Sequence, residues 1–202
     1  MKTLLHLTSS IFGDGGQSSR LSAEFVAAQP GTRVIARDLA RNPVPHLDAE
    51  RFGAFLSKPE GRTPAQQRVL AESDALIAEL KQADTIVLGL PMYNFGVPSQ
   101  LKAWFDHVAR AGVTFKYTDK GSVGLLTGKQ AYVFAARGGW YAGTPKDTQA
   151  SYVRDFLAFL GITQVRFIYA EGLAISEASK TQSLAAARNA LRALVQPETI
   201  AA

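Results

Sequence analysis

Short apolar runs alternate with amphipathic segments along almost the whole chain, and this alternation limits the fold more than any other feature. The runs are Thr3–Thr8, Arg33–Arg37, Thr85–Leu90, Gln130–Ala136 and Val165–Ala170. Each has strand length, and several are apolar on both faces, as in strands covered from both sides. Between them, Leu21, Phe25 and Ala28 share one face of a segment opened by Ser18 and Ser19. Val69, Leu76, Ile77 and Leu80 do the same after Pro64, a good first-turn residue. Leu101, Trp104, Phe105 and Val108 follow Pro98; Val153, Phe156, Leu157 and Leu160 end at Gly161; Leu184, Ala187, Leu191 and Leu194 form the last helix. Repeated strand–helix units predict an α/β fold, a parallel five-stranded sheet covered by helices on both faces. The doubly wound order 2-1-3-4-5 suits this length, with all 202 residues in one domain. Two connections, Ala40–Thr63 and Ala111–Gly128, exceed what the fold needs and read as loops, the first with a short helix from Asp48 to Leu56. The tail after Gln196 is expected to fray.

Composition narrows the function. The chain is 47% hydrophobic and 19% charged, against a typical charged fraction of about 25%. Its net charge of +5 is scattered, without a basic run, which speaks against a nucleic-acid partner and for anionic small ligands at most. The absence of cysteine excludes disulfides, thiolate metal sites and cysteine nucleophiles. No run is long enough to span a membrane, and Met1–Leu7 lacks a signal-peptide pattern, so a cytoplasmic protein is expected.

In doubly wound sheets, ligands bind beyond the carboxyl ends of the strands, where the strand order reverses. Three segments arrive there. The first, Thr8 to Ser19, combines hydroxyls and glycines with a helix start. It lacks the dinucleotide fingerprint, since glycine would be needed at Ser18, and no P-loop exists at Gly124–Lys129. It suits a monophosphate cradle and a plain capped loop equally. The second, Pro91 to Pro98, is bounded by prolines, leaving amides that cannot all pair locally, and it carries Tyr93 and Phe95. Those rings can stack on a flat polar heterocycle or simply fill core; the loop context favours the ligand. The third, Ala136-Arg137-Gly138-Gly139-Trp140-Tyr141, pairs two glycines with a positive charge, but read alone it is a turn.

His6, His46 and His107 have no metal-ligand spacing and read as ordinary core or surface residues. Asp106 and Arg110 fit a solvated i,i+4 pair. No Ser-His-Asp set or nucleophile elbow can be assembled. Hydroxyls, amides and aromatics without an acid, base or nucleophile point to a cofactor that carries the chemistry, with no protein catalytic residue and no metal.

The string Pro91-Met92-Tyr93-Asn94-Phe95, with Val97-Pro98, Leu101-Lys102, Phe105-Asp106 and Arg110 to Phe115, resembles the FMN-dependent NADH:quinone oxidoreductases and aromatic azoreductases of the flavodoxin-like superfamily. The similarity covers essentially the whole chain. It implies FMN held at its phosphate end by Ser10, Gly16, Gln17 and Ser18. Met92, Tyr93, Asn94 and Phe95 would border the isoalloxazine ring on one side, with Ala136, Arg137, Gly138 and Gly139 on another. Phe95, Tyr117 and Trp140 are the implied substrate contacts; Tyr117 matches a tyrosine that reaches the active site across a homodimer in this family. Two positions depart from the pattern, because the family often has serine where this chain has Gly16 and Ala136. Each change removes a hydroxyl worth about 0.5–1.5 kcal/mol if it bonded the cofactor, so weaker FMN retention is expected. The resemblance implies that NADH or NADPH reduces the flavin and leaves before a quinone or azo compound is reduced. An electron carrier without its own substrate and an NADPH-dependent FMN reductase are the alternatives.

Overall fold

The computed structural model describes residues 1–195; the tail after Gln196 lies outside them. In chain order the elements are β1 (Thr3–Thr8), α1 (Gln17–Ala27), β2 (Arg33–Asp38), α2 (Ala49–Leu56), α3 (Pro64–Gln82), β3 (Thr85–Pro91), α4 (Ser99–Val108), β4 (Phe115–Thr118), β5 (Gly121–Gly124), β6 (Gln130–Ala136), α5 (Thr148–Phe159), β7 (Gln164–Ala170) and α6 (Glu177–Val195). The main sheet runs β2-β1-β3-β6-β7, all parallel, which is the doubly wound order expected once the hairpin strands β4 and β5 are set aside. No helix among the described residues is long and apolar enough to cross a membrane.

Side-chain alternation divides the core between the two faces. Rows such as Leu5–Ile86–Ala131 and Leu7–Leu88–Val133, in register across β1, β3 and β6, face α3, α4 and α5. Leu4, Val87, Phe134 and Ile168 face the other way, against Leu21 and Phe25 of α1 and Ala187 and Leu191 of α6. Every residue of β3 is buried, as a central strand covered on both sides requires. Helix α1 reaches β3 so closely that a Cβ on Gly89 would lie 2.9 Å from Ser22 Oγ and 3.1 Å from the Ser18 carbonyl oxygen.

Helix starts differ by role. Asp48 caps α2, Thr63 forms a capping box with Gln66 at α3, and Asp147 caps α5. Helices α1 and α4 begin at Gly16 and Pro98 with no side-chain cap. Both open at the carboxyl end of the sheet.

Two expectations need correction. The stretch Ala111–Gly128 is not a plain loop: β4 and β5 pair antiparallel across an Asp119-Lys120 turn, with Thr118 Oγ1 donating to the Gly121 carbonyl at 2.8 Å. The turn lacks an Asn-Gly or Asp-Gly signature, so local sequence hides it. The solvated pair Asp106–Arg110 is absent. Asp106 takes Lys102 at 2.6 Å, one turn earlier, while Arg110 reaches across to Asp74 and Ser73 of α3. A tertiary carboxylate and hydroxyl within reach of the guanidinium outweigh a screened surface pair.

The hairpin docks on the end of α5 through backbone. A Cβ on Gly124 would sit 2.0 Å from the Gly161 nitrogen, and Leu126 N–H donates to the Leu160 carbonyl at 2.9 Å. Gly124→Ala is therefore expected to destabilise the chain by about 1–3 kcal/mol. Gly53→Ala, within α2 with nothing within 4 Å of the new methyl, should stabilise it by about 0.5–1 kcal/mol. Urea unfolding checks both, as opposite shifts of the midpoint at constant slope.

Candidate active site

Loops leaving β1, β3 and β6, three adjacent strands, meet where the sheet order reverses between β1 and β3. Tyr93 joins the first two: its hydroxyl oxygen accepts from Ile11 N–H at 3.1 Å and lies 3.4 Å from Ser10 Oγ. Met92 N–H donates to the Ala136 carbonyl at 3.0 Å, joining the second and third. The three segments singled out in the sequence are therefore brought together.

At the first loop, Ser10 is buried and its Oγ accepts from Phe12 N–H at 3.2 Å. Gly16 is buried, Gln17 is half-buried, and Ser18 and Ser19 are buried with neither hydroxyl finding a partner among the described residues. Two orphaned hydroxyls thus lie beside an uncapped helix start, at the positive end of the α1 dipole. A Cβ on Gly16 would fall 2.2 Å from Ser10 Oγ. Glycine at this position thus leaves the room that the Ser10 side chain occupies.

His6 anchors the same helix from beneath. Ser22 Oγ donates to the Ser19 carbonyl at 2.9 Å, so the His6 Nε2–H, 2.8 Å away, donates to Ser22. Burial pushes the His6 imidazole below its ordinary value, as it does for His107, and both act as neutral structural groups.

The second loop is a tight turn. Tyr93 and Gly96 exchange N–H···O bonds of 3.3 and 3.0 Å, and the residues between them, Asn94 and Phe95, have φ of 49° and 66°. Asparagine tolerates that left-handed region, but phenylalanine there is strained. Among the described residues, neither Asn94 nor Phe95 N–H has an intramolecular acceptor. The turn is gripped from α5: Thr148 Oγ1 donates to the Phe95 carbonyl at 2.7 Å, and Gln149 Nε2 donates to the Pro91 and Gly96 carbonyls at 2.9 and 3.0 Å. Phe95 is half exposed, edge-on to Tyr141 at 5.7 Å.

In the third loop Arg137 turns inward. Its side chain is buried, with Nη1 on Glu171 at 3.0 Å, Nη2 on Asp147 at 2.8 Å, and the Tyr169 ring 4.9 Å away. The guanidinium is neutralised inside the protein, so at this position only the backbone faces the cleft. Gly138 and Gly139 continue the ladder by accepting from Ala174 and Gly172 N–H. Ala136 is buried, and its carbonyl is already taken by Met92. Trp140 is exposed but packs on Gly172, where a Cβ would meet the indole at 2.5 Å. Tyr117 lies exposed on β4, edge-on to Phe115; among the described residues no hydrogen bond or ring contact ties it to the three loops.

Sequence reading missed Thr148, Gln149 and Glu171, which touch loop backbone and not the cleft. Asp147, before the amphipathic segment through Val153, was a legible cap signal.

Residues 2–195 match the flavodoxin-like fold family. The chain is 54% identical over 193 residues to an FMN-dependent NADH:quinone oxidoreductase of Cellvibrio japonicus, covering 94% of this chain and 96% of the relative. It is 53% identical over 194 residues to an enzyme of the same description from Alcanivorax borkumensis, covering 94% and 98%. Among solved structures, an azoreductase of Bacillus anthracis superposes with a TM-score of 0.88 at 25% identity, covering 96% of this chain and 99% of that one. An FMN-dependent NADH-azoreductase of that organism, solved with FMN, gives 0.85 at 26% identity, covering 97% and 100%. With this agreement over nearly its full length, the chain belongs to the flavodoxin-like family of FMN-dependent NADH:quinone oxidoreductases and azoreductases.

Proposed function

We propose that the chain is an FMN-dependent NAD(P)H oxidoreductase that reduces quinones to hydroquinones and cleaves aromatic azo compounds to amines. The observation that carries this is the donor-rich start of α1, with buried, unpartnered Ser18 and Ser19 hydroxyls, beside a turn whose Asn94 and Phe95 amides lack acceptors. These features fit FMN chemically at both ends. Ser10, Gln17, Ser18 and the backbone at Gly16 would hold the phosphate, where uncapped amides and hydroxyls meet a dianion. Met92 to Phe95 and the backbone of Ala136 to Gly139 would border the ring. When bound, FMN supplies two-electron chemistry, taking hydride from the nicotinamide and passing reducing equivalents to the acceptor.

The protein's own part is positioning. Amides fixed in a strained turn would meet polar atoms of the ring without reorganising, and Phe95 and Trp140 would offer apolar surface to a flat substrate. The exposed rim is apolar, with Ile11, Phe12, Phe95 and Trp140 all more than half exposed, which favours an enzyme over a carrier with a charged docking face. That rim also supports a homodimer with Tyr117 of one subunit brought to the other's site, in keeping with the interaction-prone character of such patches. A cytoplasmic location accords with a nicotinamide donor.

Steady-state kinetics test the reading. Double-reciprocal plots of NADH oxidation at several fixed benzoquinone concentrations should be parallel, with one NADH used per quinone and, anaerobically, two per azo dye cleaved. Intersecting lines, or one NADH per dye with both amines recovered, would contradict it. Sedimentation equilibrium should give twice the chain mass; a monomer with FMN bound would overturn the dimer.

A further inference from the structure

We propose that the Arg137 side chain is a positioning residue. One guanidinium, touching no ligand, holds the 91–96 turn and the 139–142 turn in fixed relation on either side of the ring subsite. This rests on the FMN reading and extends it from residues that border the ring to one that acts through others.

The geometry shows how. Arg137 is 1% exposed, and its fork reaches Glu171 through Nη1 at 3.0 Å and Asp147 through Nη2 at 2.8 Å. Both carboxylates are nearly buried, and each has a second task. Glu171 Oε1 also accepts from Tyr141 and Ala142 N–H at 3.0 and 2.9 Å, which fixes the turn after Gly139. Asp147 Oδ1 also accepts from Ala150 N–H at 3.1 Å, which caps α5. The next two residues of that helix are the ones that grip the other turn: Thr148 at the Phe95 carbonyl, Gln149 at the carbonyls of Pro91 and Gly96. A left-handed phenylalanine persists only where its surroundings over-determine it, and here they do so through α5. Each wall of the cleft is thus one carboxylate removed from the same guanidinium.

Replacement has a predictable direction. Lysine offers a single point charge and cannot fork between two carboxylates set for a planar group. One of them is then left underpaired in the interior, where an uncompensated charge is strongly disfavoured, and the turn attached to it relaxes. The damage falls at the ring end of the site. The phosphate end is built on α1 and meets the 91–96 turn only through the Tyr93 hydroxyl at Ser10 and Ile11, so it is disturbed less.

The test uses the apoprotein, with Arg137→Lys and Asp147→Asn as variants. Asparagine keeps an oxygen to cap α5 while losing the charge. Each protein is checked by circular dichroism to be folded at the assay temperature, then titrated with FMN and with riboflavin by flavin fluorescence, and assayed with NADH and benzoquinone at saturating FMN. Arg137→Lys should weaken FMN and riboflavin by the same factor, about tenfold or more. It should also lower kcat by up to about 100-fold, the scale expected for misplacement by about an ångström. Asp147→Asn should move both in the same direction by less. Unchanged affinities and kcat in folded variants would overturn the inference, as would weakened FMN with unaffected riboflavin. If Arg137→Lys does not fold, Asp147→Asn decides by the same criteria. Failure of the wild-type protein to bind either flavin would remove the FMN reading and this inference together, whereas wild-type-like variants remove the inference alone.

Discussion

The structure depends on the double burial of β3. A strand covered on both faces can satisfy its backbone only through ladders to neighbours on each side, here β1 and β6, and that requirement fixes the centre of the sheet. Because β2 lies outside β1 while β3 lies inside it, the connections that follow β1 and β3 leave toward opposite faces. The crevice between them is where α1 begins and where the chain bends after Pro91. A cleft at this place follows from strand order alone; its chemistry comes from the loops.

Those loops spend stability that the rest of the fold supplies. Helices α2, α3 and α5 carry side-chain caps, whereas α1 leaves its first turn uncapped beside two buried, unpartnered hydroxyls. Asn94 and Phe95 stand in left-handed conformations. These departures sit at the cleft, and the turn is held largely from outside it. Tyr93 ties the first loop to the second, Gln149 and Thr148 hold the turn, and Arg137 joins both walls through Asp147 and Glu171. Apart from Tyr93, which serves both, the site and its support are made by different residues, as preorganisation requires.

This division explains what could be read from sequence. The five main strands were legible because apolar runs bounded by glycine, proline and polar residues report burial directly, and Gly161 did mark the end of α5. The three cleft loops were legible because hydroxyls, glycines and proline-bounded aromatics are unusual at strand ends. The hairpin β4–β5 was not, since its docking relies on the backbone approach of Gly124 to Gly161, which leaves no periodic pattern. Arg137 was recognised as a positive charge beside two glycines, but its partners at Asp147 and Glu171 are 10 and 34 residues away, beyond any local signal. Arg110 was misread for the same reason, because Asp74 lies 36 residues earlier.

The central claim is that the start of α1 is a phosphate cradle attached to a flavin-ring cleft. Titration of the apoprotein with FMN and with riboflavin, which differ only by the phosphate, tests it most directly. The account predicts one FMN per chain with quenched flavin fluorescence. FMN should bind at least about 100-fold tighter than riboflavin, as two charge-assisted hydrogen bonds of about 1.5 kcal/mol each would give. Equal affinity for the two flavins, or no quenching by either, would contradict it.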